Sequence, residues 1–309
     1  MIYTVTLNPS LDRTIHYPTV AWGAVNRATR SSLDLGGKGI NISVALRQLG
    51  CESVMLGFAA GVFGRLLVEG LQDHGYRCEF VEIAGETRSN ITLIEDDTGR
   101  VTKLNEAGPP VATRDMDALE ERLCALLAPG DMVALAGSLP PDAPNDVYAR
   151  LIDAAHRCGA RAALDTSGPA LSAGCGAAPD LVKPNLEEAE TLVGRPIEAD
   201  LVWALCAMRE MGPRRVLLSL GKEGAVYADD SGCWLATPPA IAEVNNVGAG
   251  DAALAGAMCA WAGELSAEQM LRWAVAAGTA TAQTDGTTFP GHKAIQRVYE
   301  QVLVEQLAD

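Results

Sequence analysis

The sequence predicts an α/β fold: a doubly wound, mostly parallel sheet with helices on both faces and a small β-sheet lid. Three observations support this prediction. From about residue 110 onward, strand-like and helix-like segments alternate, which is typical of right-handed crossovers between parallel strands. Polar residues follow the ends of several predicted strands. Two segments, about 13–33 and 87–105, have strand-like alternation without a long apolar helix, and they predict the lid.

The first hundred residues contain the opening strands and helices of the sheet and also the lid. Strands are predicted at 2–7, 53–58 and 78–83. One helix opens at the glycine turn 36–39, has apolar residues at helical spacing, and ends at Gly50. A second amphipathic helix is predicted at 63–74. The lid hairpin runs through 87–94, an acidic turn at 95–100, and 101–108.

The rest of the chain continues the alternation. Further strands are predicted at 131–135, 161–165, near 180, and at 215–219. Further helices are predicted at 113–127, 143–158, 186–211, 252–261, 266–283 and 291–307. No repeat and no low-complexity linker interrupts the chain, so we expect a single domain over residues 1–309.

The composition is that of a soluble globular protein without a nucleic-acid or membrane partner. The 309 residues are 48% apolar and 20% charged, and the formal net charge is −15. Nucleic acids and anionic membranes both require a basic surface, so a phosphorylated ligand would need a local basic cluster. No signal sequence and no run of about 18 apolar residues is present, which predicts a cytoplasmic protein. The eight cysteines are scattered singly without metal-ligand spacing, and we expect most of them to be reduced core residues.

The stretch 244–257 is the strongest functional signal. Gly248-Ala249-Gly250 forms a glycine-rich turn, and residues 252–261 are good helix formers. The first turn of a helix has unpaired N–H groups and partial positive charge, so this turn can bind an anion. The carboxylate of Asp251 would repel that anion unless it takes a proton from a hydroxyl that attacks it. The alternative interpretation is that Asp251 caps the helix.

Two better-known phosphate-binding loops are not supported. The pattern Gly-x-x-x-x-Gly-Lys-Ser/Thr does not occur anywhere in the chain. Residues 248–253 formally fit Gly-x-Gly-x-x-Gly/Ala, but a dinucleotide loop needs a buried strand directly before it. Asn245-Asn246 stands there instead, after two prolines. We therefore set NAD aside.

A second glycine turn, 36–39, opens the helix that carries Lys38 and Asn41. A lysine at a helix start opposes the helix dipole, so an anionic ligand explains its position better. Asn41 is either a ligand group or a satisfied core amide. Arg88 lies at the root of the lid, and its planar fork suits a phosphate. Asp12 follows the first strand, where it can accept hydrogen bonds from sugar hydroxyls or cap the adjacent turn.

Polar residues follow four predicted strands, in the stretches 136–141, 165–167, 183–188 and 219–224. The carboxyl ends of parallel strands lie along one edge of a sheet, which is the edge where ligands bind. A purely structural protein would not need polar residues at four strand ends.

Two motifs carry a resemblance to a known family. Gly36-Gly-Lys-Gly-Ile-Asn41 and Val247-Gly-Ala-Gly-Asp251 are similar to the N-terminal and C-terminal signatures of the ribokinase-like (PfkB) sugar kinases. The resemblance covers essentially the whole chain. Further stretches are similar to the branch that phosphorylates ketohexose monophosphates: residues 6–12, 38, 87–90, 105–109 and 137–141. The similarities at 105–106 and 38 favour fructose 1-phosphate and leave the 6-phosphates of fructose and tagatose open.

The resemblance implies ATP-dependent transfer of the γ-phosphoryl group to a sugar hydroxymethyl. Asp251 would be the base, and the N–H groups of the preceding turn would form an anion hole, from Gly248, Ala249 and Gly250. The resemblance implies a sugar-phosphate site made of Asp12, Arg27, Gly37, Lys38, Asn41, Arg88 and Ser138. Of these, Lys38, Arg88 and Arg27 would bind the phosphate. It implies a nucleotide site made of Lys183, Asn185, Glu188, Ser219, Gly221, Gly224 and Gly278.

The implied cofactors are ATP and Mg²⁺, with Glu188 acting on the metal through water, and a monovalent cation such as K⁺ behind the anion-hole loop. The implied assembly is a homodimer through the lid. Two positions depart from the family pattern: Asn246, where threonine is common, and Ala252, where serine is common in this branch. A kinase for an unphosphorylated sugar or nucleoside would not need the cluster of Lys38 and Arg88. A non-catalytic sensor of sugar phosphate and nucleotide is the alternative from another class.

Overall fold

A computed structural model of the chain describes residues 1–197, 200–284 and 288–307. Its strands are β1 (Ile2–Thr6), β2 (Ser10–Tyr17), β3 (Arg30–Gly36), β4 (Ser53–Ala60), β5 (Arg77–Ile83), β6 (Arg88–Glu95), β7 (Arg100–Leu104), β8 (Met132–Ala136), β9 (Arg161–Asp165), β10 (Leu181–Val182), β11 (Val216–Ser219), β12 (Ala225–Asp229), β13 (Gly232–Thr237) and β14 (Leu303–Leu307).

The helices are α1 (Lys38–Gln48), α2 (Gly61–Asp73), α3 (Thr113–Leu126), α4 (Val147–Arg157), α5 (Gly168–Gly176), α6 (Leu186–Val193), α7 (Leu201–Glu210), α8 (Ala249–Ala262), α9 (Ala267–Thr281) and α10 (His292–Tyr299). A short 3₁₀ turn, Gly221–Glu223, follows β11. Among the helices described, none combines the length and the apolar composition that a bilayer crossing requires.

The large sheet has the order β14-β13-β12-β11-β10-β9-β8-β1-β4-β5. Every neighbouring pair from β11 to β5 is parallel, whereas β12, β13 and β14 join the other edge antiparallel. The predicted mostly parallel sheet is confirmed. Its parallel strands end along one edge, so the polar stretches after β8, β9, β10 and β11 come together there.

Strand β8 shows why both faces of the sheet are covered. Its residues are apolar without interruption and fully buried, as expected for a central parallel strand. Val133 and Leu135 belong to the core beneath α3, α4, α5 and α7, whereas Met132 and Ala134 belong to the core beneath α1, α8, α9 and α10. Since successive residues of a strand face opposite sides, one apolar run serves both cores. The doubly wound architecture is confirmed.

The predicted lid is a separate four-stranded sheet with the order β3-β2-β6-β7. Strand β2 pairs antiparallel with β3 and parallel with β6. This sheet extends further than predicted, because it begins at Ser10 and continues to Gly36. Asp12 therefore lies within a strand of the small sheet, opposite Asn90 of β6 and Asp34 of β3, and it does not cap a turn after β1.

The C-terminal prediction was wrong in part. The single helix predicted for 291–307 ends at Tyr299, and Leu303–Leu307 forms strand β14. Leucine, glutamate and glutamine favour helices, but antiparallel pairing of Leu235 with Glu305 and its neighbours outweighs that local preference. Helix α5 was not predicted, since its glycines obscure the helical pattern. In the predicted helical stretch 186–211, which contains α6 and α7, residues 198–199 lie outside the described part of the chain.

One pair of cysteines is an exception to the expectation that most of them are reduced. Cys51 and Cys259 form a disulfide between positions 208 residues apart in sequence, with Cα atoms 6.3 Å apart. Of the other six cysteines, only Cys175 and Cys233 are buried, so the expectation that most cysteines lie in the core was wrong. The spacing of the cysteines in the sequence does not predict this bond, because only the fold brings Cys51 and Cys259 together.

Candidate active site

Asp251 lies in the first turn of α8. Gly248 is the N-cap residue, and its φ of 79° is in the left-handed region that favours glycine. The N-cap has no side chain to accept a hydrogen bond, and Asp251 follows it as the third helical residue. Its carboxylate is 6% exposed and accepts a hydrogen bond of 2.8 Å from Asn41 Nδ2 on α1. The interpretation that Asp251 caps the helix is therefore wrong, and Asn41 is bonded to the predicted base.

The surroundings of Asp251 make it a stronger base than an ordinary aspartate. Burial raises the pKa of Asp251 to about 6, and the negative charge of Asp165 acts in the same direction. The cations of Lys38 and Lys183 and the hydrogen bond from Asn41 offset part of this rise. A carboxyl group with a pKa near 6 is ionised at neutral pH and can still take a proton from an alcohol in a transition state.

The first turn of α8 also supplies backbone donors. Helical geometry leaves the first N–H groups without a carbonyl partner in the helix. Here the N–H of Ala249 donates to Asn246 O at 3.2 Å, so one of the three predicted anion-hole donors is engaged by its own loop. Gly250 lies next to a cation, because a Cβ atom at that position would be 3.4 Å from Lys183 Nζ. This helix start therefore combines peptide dipoles with a lysine.

Asp165 joins two lysines from different parts of the chain. Its Oδ1 accepts a hydrogen bond from Lys38 Nζ at 2.8 Å, and its Oδ2 lies 3.0 Å from Lys183 Nζ. Asp165 is fully buried, and burial would raise its pKa, but Lys183 and Lys38 together hold the pKa below its usual value. Burial lowers the pKa of Lys38, and the carboxylates of Asp165 and Asp251 raise it by more. Lys38 therefore stays charged.

A cavity of about 280 Å³ lies at the carboxyl edge of the parallel strands. Five of the predicted residues line it: Gly37, Lys38, Arg88, Ser138 and Glu188. The loop that carries Ser138 is held from below, because the hydroxyls of Tyr148 and Thr166 both donate to Gly137 O. Asp251 does not line this cavity. Lys38 does line it, and the negative charge of Asp251 raises the pKa of Lys38.

Four buried polar atoms near this cavity lack a hydrogen-bond partner among the described residues: Asn8 Oδ1, Arg88 Nε, Asn90 Oδ1 and Asp165 Oδ2, the last of which lies in an ion pair with Lys183. Asn8 and Arg88 both line the cavity. Native proteins seldom leave such atoms unpaired without a reason, so this region is suited to a polar ligand. Burial lowers the pKa of Arg88, and Asp12 partly offsets that effect.

Asp12 is held in place by its neighbours in the small sheet. Its Oδ1 accepts hydrogen bonds from Ser10 Oγ at 2.7 Å and Asn90 Nδ2 at 2.8 Å. A Cβ atom at Gly36 would lie 2.1 Å from Asp12 Oδ2, so only glycine leaves room for this carboxylate. The glycine turn before α1 therefore serves Asp12 as well as Lys38.

The predicted nucleotide residues lie around the start of α6 and the end of β11. Asn185 Oδ1 accepts from the N–H of Glu188, and Glu188 Oε2 accepts from the N–H of Asn185, both at 2.9 Å. This capping box leaves Glu188 Oε1 without a hydrogen bond among the described residues. Ser219 bridges to Asn185 across the sheet. Gly221 and Gly224 bound the adjacent 3₁₀ turn.

Several predicted residues do not line the cavity, among them Asp12, Asn41, Arg27 and Gly278. Arg27 is exposed in the segment between β2 and β3. Gly278 lies in α9, where a Cβ atom would be 3.0 Å from Ala249 O. The absence of a side chain at Gly278 therefore lets α9 pack closely against the start of α8.

The sequence did not predict Asn8, Asn90 and Asp165 as site residues. Asp165 ends strand β9, and the strand-end rule indicated it, but nothing local showed that it would pair with two lysines. Asn8 and Asn90 lie in stretches that resemble the sugar-phosphate branch, and only their unpaired buried oxygens single them out.

The chain matches the family model described as pfkB family carbohydrate kinase over residues 5–294. It is 34% identical to the 1-phosphofructokinase of Bacillus subtilis over 311 residues, which covers 99% of this chain and 100% of that protein. It is 37% identical to the 1-phosphofructokinase of Escherichia coli K12 over 285 residues, which covers 89% and 88% of the two chains.

The fold is similar to crystal structures of phosphofructokinase-2 from Escherichia coli, which is 32% identical to this chain. The complex of that protein with potassium superposes with a TM-score of 0.92, covering 97% of this chain and 98% of the other. Its complex with fructose-6-phosphate superposes with a TM-score of 0.90 over the same shares.

Proposed function

The chain belongs to the pfkB family of carbohydrate kinases, and we propose that it phosphorylates D-fructose 1-phosphate with ATP to give fructose 1,6-bisphosphate. It is an enzyme of the class that transfers a phosphoryl group to an alcohol. One observation carries the proposal: a buried carboxylate, Asp251, stands at a helix start near Lys38 and Lys183, with its pKa raised to about 6. The relatives named 1-phosphofructokinase support the choice of substrate.

In the proposed reaction, Asp251 takes the proton from the C6 hydroxyl of the sugar as that oxygen attacks the γ-phosphorus of ATP. The bond from the γ-phosphorus to the bridging oxygen of ADP breaks, and ADP leaves with that electron pair. The dipoles at the start of α8 and the charge of Lys183 stabilise the moving phosphoryl group. Alignment of acceptor and phosphate can supply on the order of 7–11 kcal/mol of the barrier.

We assign the sugar phosphate to the cavity at the carboxyl edge. Lys38 and Arg88 pair with its phosphate group, and Asp12, Asn41 and Gly37 hold its hydroxyls. The unpaired atoms Asn8 Oδ1 and Arg88 Nε support this assignment, because a sugar phosphate offers both donors and acceptors to them. An unphosphorylated sugar would leave the half-buried Arg88 without a ligand anion.

The family implies ATP and a divalent metal, and we assign Mg²⁺ to Glu188 through a water molecule. No group of three or more His, Cys, Asp or Glu side chains that could hold an ion occurs within the described residues. Mg²⁺ commonly binds one or two carboxylates together with substrate phosphates, so a single free Glu188 oxygen fits it. When bound, Mg²⁺ neutralises charge on the phosphates. We also propose a K⁺ site behind the anion-hole loop, which the potassium complex of the E. coli protein supports.

The substrate assignment is tested by ATP turnover against three sugars side by side: fructose 1-phosphate, fructose 6-phosphate and tagatose 6-phosphate. We expect the highest kcat/KM with fructose 1-phosphate. A higher kcat/KM with either 6-phosphate would make that sugar the substrate in place of fructose 1-phosphate. No ADP release with any of the three would favour a sensor that binds without transfer.

We further propose a homodimer formed through the small sheet, in the cytoplasm, where ATP and sugar phosphates are available. The outer surface of this sheet and its loop expose large apolar side chains, including Trp22, Val25 and Leu33. Val25→Asp and Leu33→Asp should each give a single-chain mass by sedimentation, whereas Val62→Asp, an equally apolar surface change on α2, should keep the dimer. A single-chain mass for the unsubstituted protein would contradict the proposal.

A further inference from the structure

The Cys51–Cys259 disulfide joins the two helices on which the candidate active site is built. Helix α1 begins with Lys38 and Asn41, and α8 begins with the anion-binding turn and Asp251. At that end, the hydrogen bond from Asn41 to Asp251 connects the two helices. At the other end, the disulfide connects them again. Cys259 lies roughly 12 Å along α8 from Asp251, at 1.5 Å per residue.

Cys51 is held rigidly at the end of α1. The N–H of Cys51 donates to Leu46 O at 2.9 Å, and the N–H of Gly50 donates to Arg47 O at 3.0 Å. This pair of hydrogen bonds is the Schellman motif, which fixes the residue after the glycine relative to the helix. Because Cys51 is fixed to the end of α1, the disulfide restrains the position of α8 relative to α1.

Cys51 can be approached from the side opposite the active site, although both cysteines are partly buried. A second cavity, of about 330 Å³, lies at the amino-terminal edge of the parallel strands. Cys51 lines this cavity together with Glu52 and Arg161, whereas Cys259 does not. A small thiol in this cavity therefore meets Cys51 before Cys259, which leaves Cys259 as the leaving group.

We propose that Cys51 is a thiol–disulfide exchange site, and that the Cys51–Cys259 bond is a reversible redox clamp on the two helices of the active site. A low-molecular-weight thiolate such as glutathione attacks Cys51 Sγ, and the thiolate of Cys259 leaves. A second glutathione thiolate attacks the mixed disulfide, so that Cys51 leaves as a thiolate and glutathione disulfide is released. The protein gains two electrons, and the two glutathiones lose them.

The consequence is a coupling between thiol redox state and the geometry of Asp251. In reducing compartments, a protein disulfide is commonly transient and regulatory, which fits a bond with one cysteine at a cavity wall. With the bond reduced, α8 remains packed in the core but loses one of its two cross-links to α1. We expect a looser first turn of α8 and a slower phosphoryl transfer.

The test uses the full chain equilibrated in glutathione buffers of increasing reduced fraction. Thiols are counted by maleimide labelling after acid quenching and unfolding, and we expect two more in reducing buffer than in oxidising buffer. Over the same range, Tm should fall by about 5 °C. Hydrogen exchange of residues 249–252 should rise. The value of kcat should fall more than about twofold, but less than the roughly 100-fold cost of moving a catalytic group by 1 Å.

Two variants separate this clamp from other thiol effects. The double variant Cys51→Ser/Cys259→Ser should match the reduced wild type in every buffer, and Cys206→Ser, which removes an exposed free thiol on α7, should respond like the wild type. The same number of thiols in every buffer, or a response of the double variant, would overturn the proposal. An unchanged kcat on reduction would also overturn it. The kinetic readout depends on the proposed kinase activity, whereas thiol count, Tm and hydrogen exchange do not, so failure of that activity is recognised separately.

Discussion

Helices α6 and α8 both carry a carboxylate as the third residue of their first turn, and the two carboxylates do different work. At α6, Glu188 completes a capping box with Asn185. At α8, Asp251 makes no cap, is buried, and has a pKa raised to about 6. A carboxylate at a helix start normally stabilises the helix, since it pairs with unsatisfied N–H groups and a favourable dipole. A carboxylate that is buried there without capping is retained for its chemistry.

The largest expected effect tests the chemical half of this comparison. Asp251→Ala should lower kcat by about 10²- to 10⁴-fold, because a general base contributes that much, and should leave ATP binding nearly unchanged. The measurement is steady-state turnover together with calorimetric titration of ATP. Glu268→Gln removes an exposed first-turn carboxylate of α9 and should retain full activity. Retention of more than a few per cent of activity by Asp251→Ala would remove it from the role of base.

A third helix start extends the comparison to a cation. Lys38 opposes the dipole of α1 but pairs with Asp165, and we expect Lys38→Ala and Arg88→Ala each to raise KM for the sugar phosphate. A lost charge-assisted contact of about 1.5–3 kcal/mol corresponds to roughly 10- to 150-fold. Lys38→Ala should also move the acid limb of the kcat profile to higher pH, because Lys38 holds the pKa of Asp251 down. Lys293→Ala, in the first turn of α10, is the control, and an unchanged KM would mean that the phosphate binds elsewhere.

Asp251 should reduce stability, in contrast to Glu188. Its pKa in the folded state is about 6, above the ordinary value of 3.8, so its ionisation disfavours the folded state. The penalty is absent well below about pH 4 and complete above about pH 6. Asp251→Asn should therefore stabilise the protein by on the order of 2–3 kcal/mol at pH 8, and by about half of that at pH 5.

Urea unfolding at both pH values measures this difference. Asp153→Asn, which removes an exposed carboxylate on α4, controls for the change in net charge. If Asp251→Asn were no more stable than the wild type at pH 8, the ionised carboxylate of Asp251 would not destabilise the folded state, and the proposed contrast with Glu188 would be wrong.

The smallest expected effect tests the capping half of the comparison. Asn185→Ala should destabilise the protein by about 1 kcal/mol, because the N–H of Glu188 loses its acceptor. Ser266→Ala removes the equivalent cap of α9 and should cost a similar amount. Activity separates the two, since only the cap of α6 lies at the proposed nucleotide site. Equal activity of both variants in ATP-dependent turnover would leave Asn185 with a structural role alone.

Much of the fold could be predicted from the sequence, because the parallel part of the sheet is built from local alternation of strands and helices. The prediction failed where long-range pairing outweighed local preference. Residues 303–307 have the composition of a helix and become an edge strand, because β13 offers them an antiparallel partner. The glycine-rich segment of α5 lacks a clear helical pattern, and burial of Leu171 and Cys175 stabilises it as a helix.

The candidate site divides in the same way. Glycine turns, capping residues and the carboxylate of residue 251 are specified by neighbours a few positions away, so their spacing was already informative in the linear chain. Three features of the molecule depend on residues that are far apart in the chain. They are the raised pKa of Asp251, the ion pairs of Asp165 with Lys38 and Lys183, and the Cys51–Cys259 disulfide. Burial and Coulomb interactions depend on distances through space, so these properties arise when the sheet brings its strand ends together.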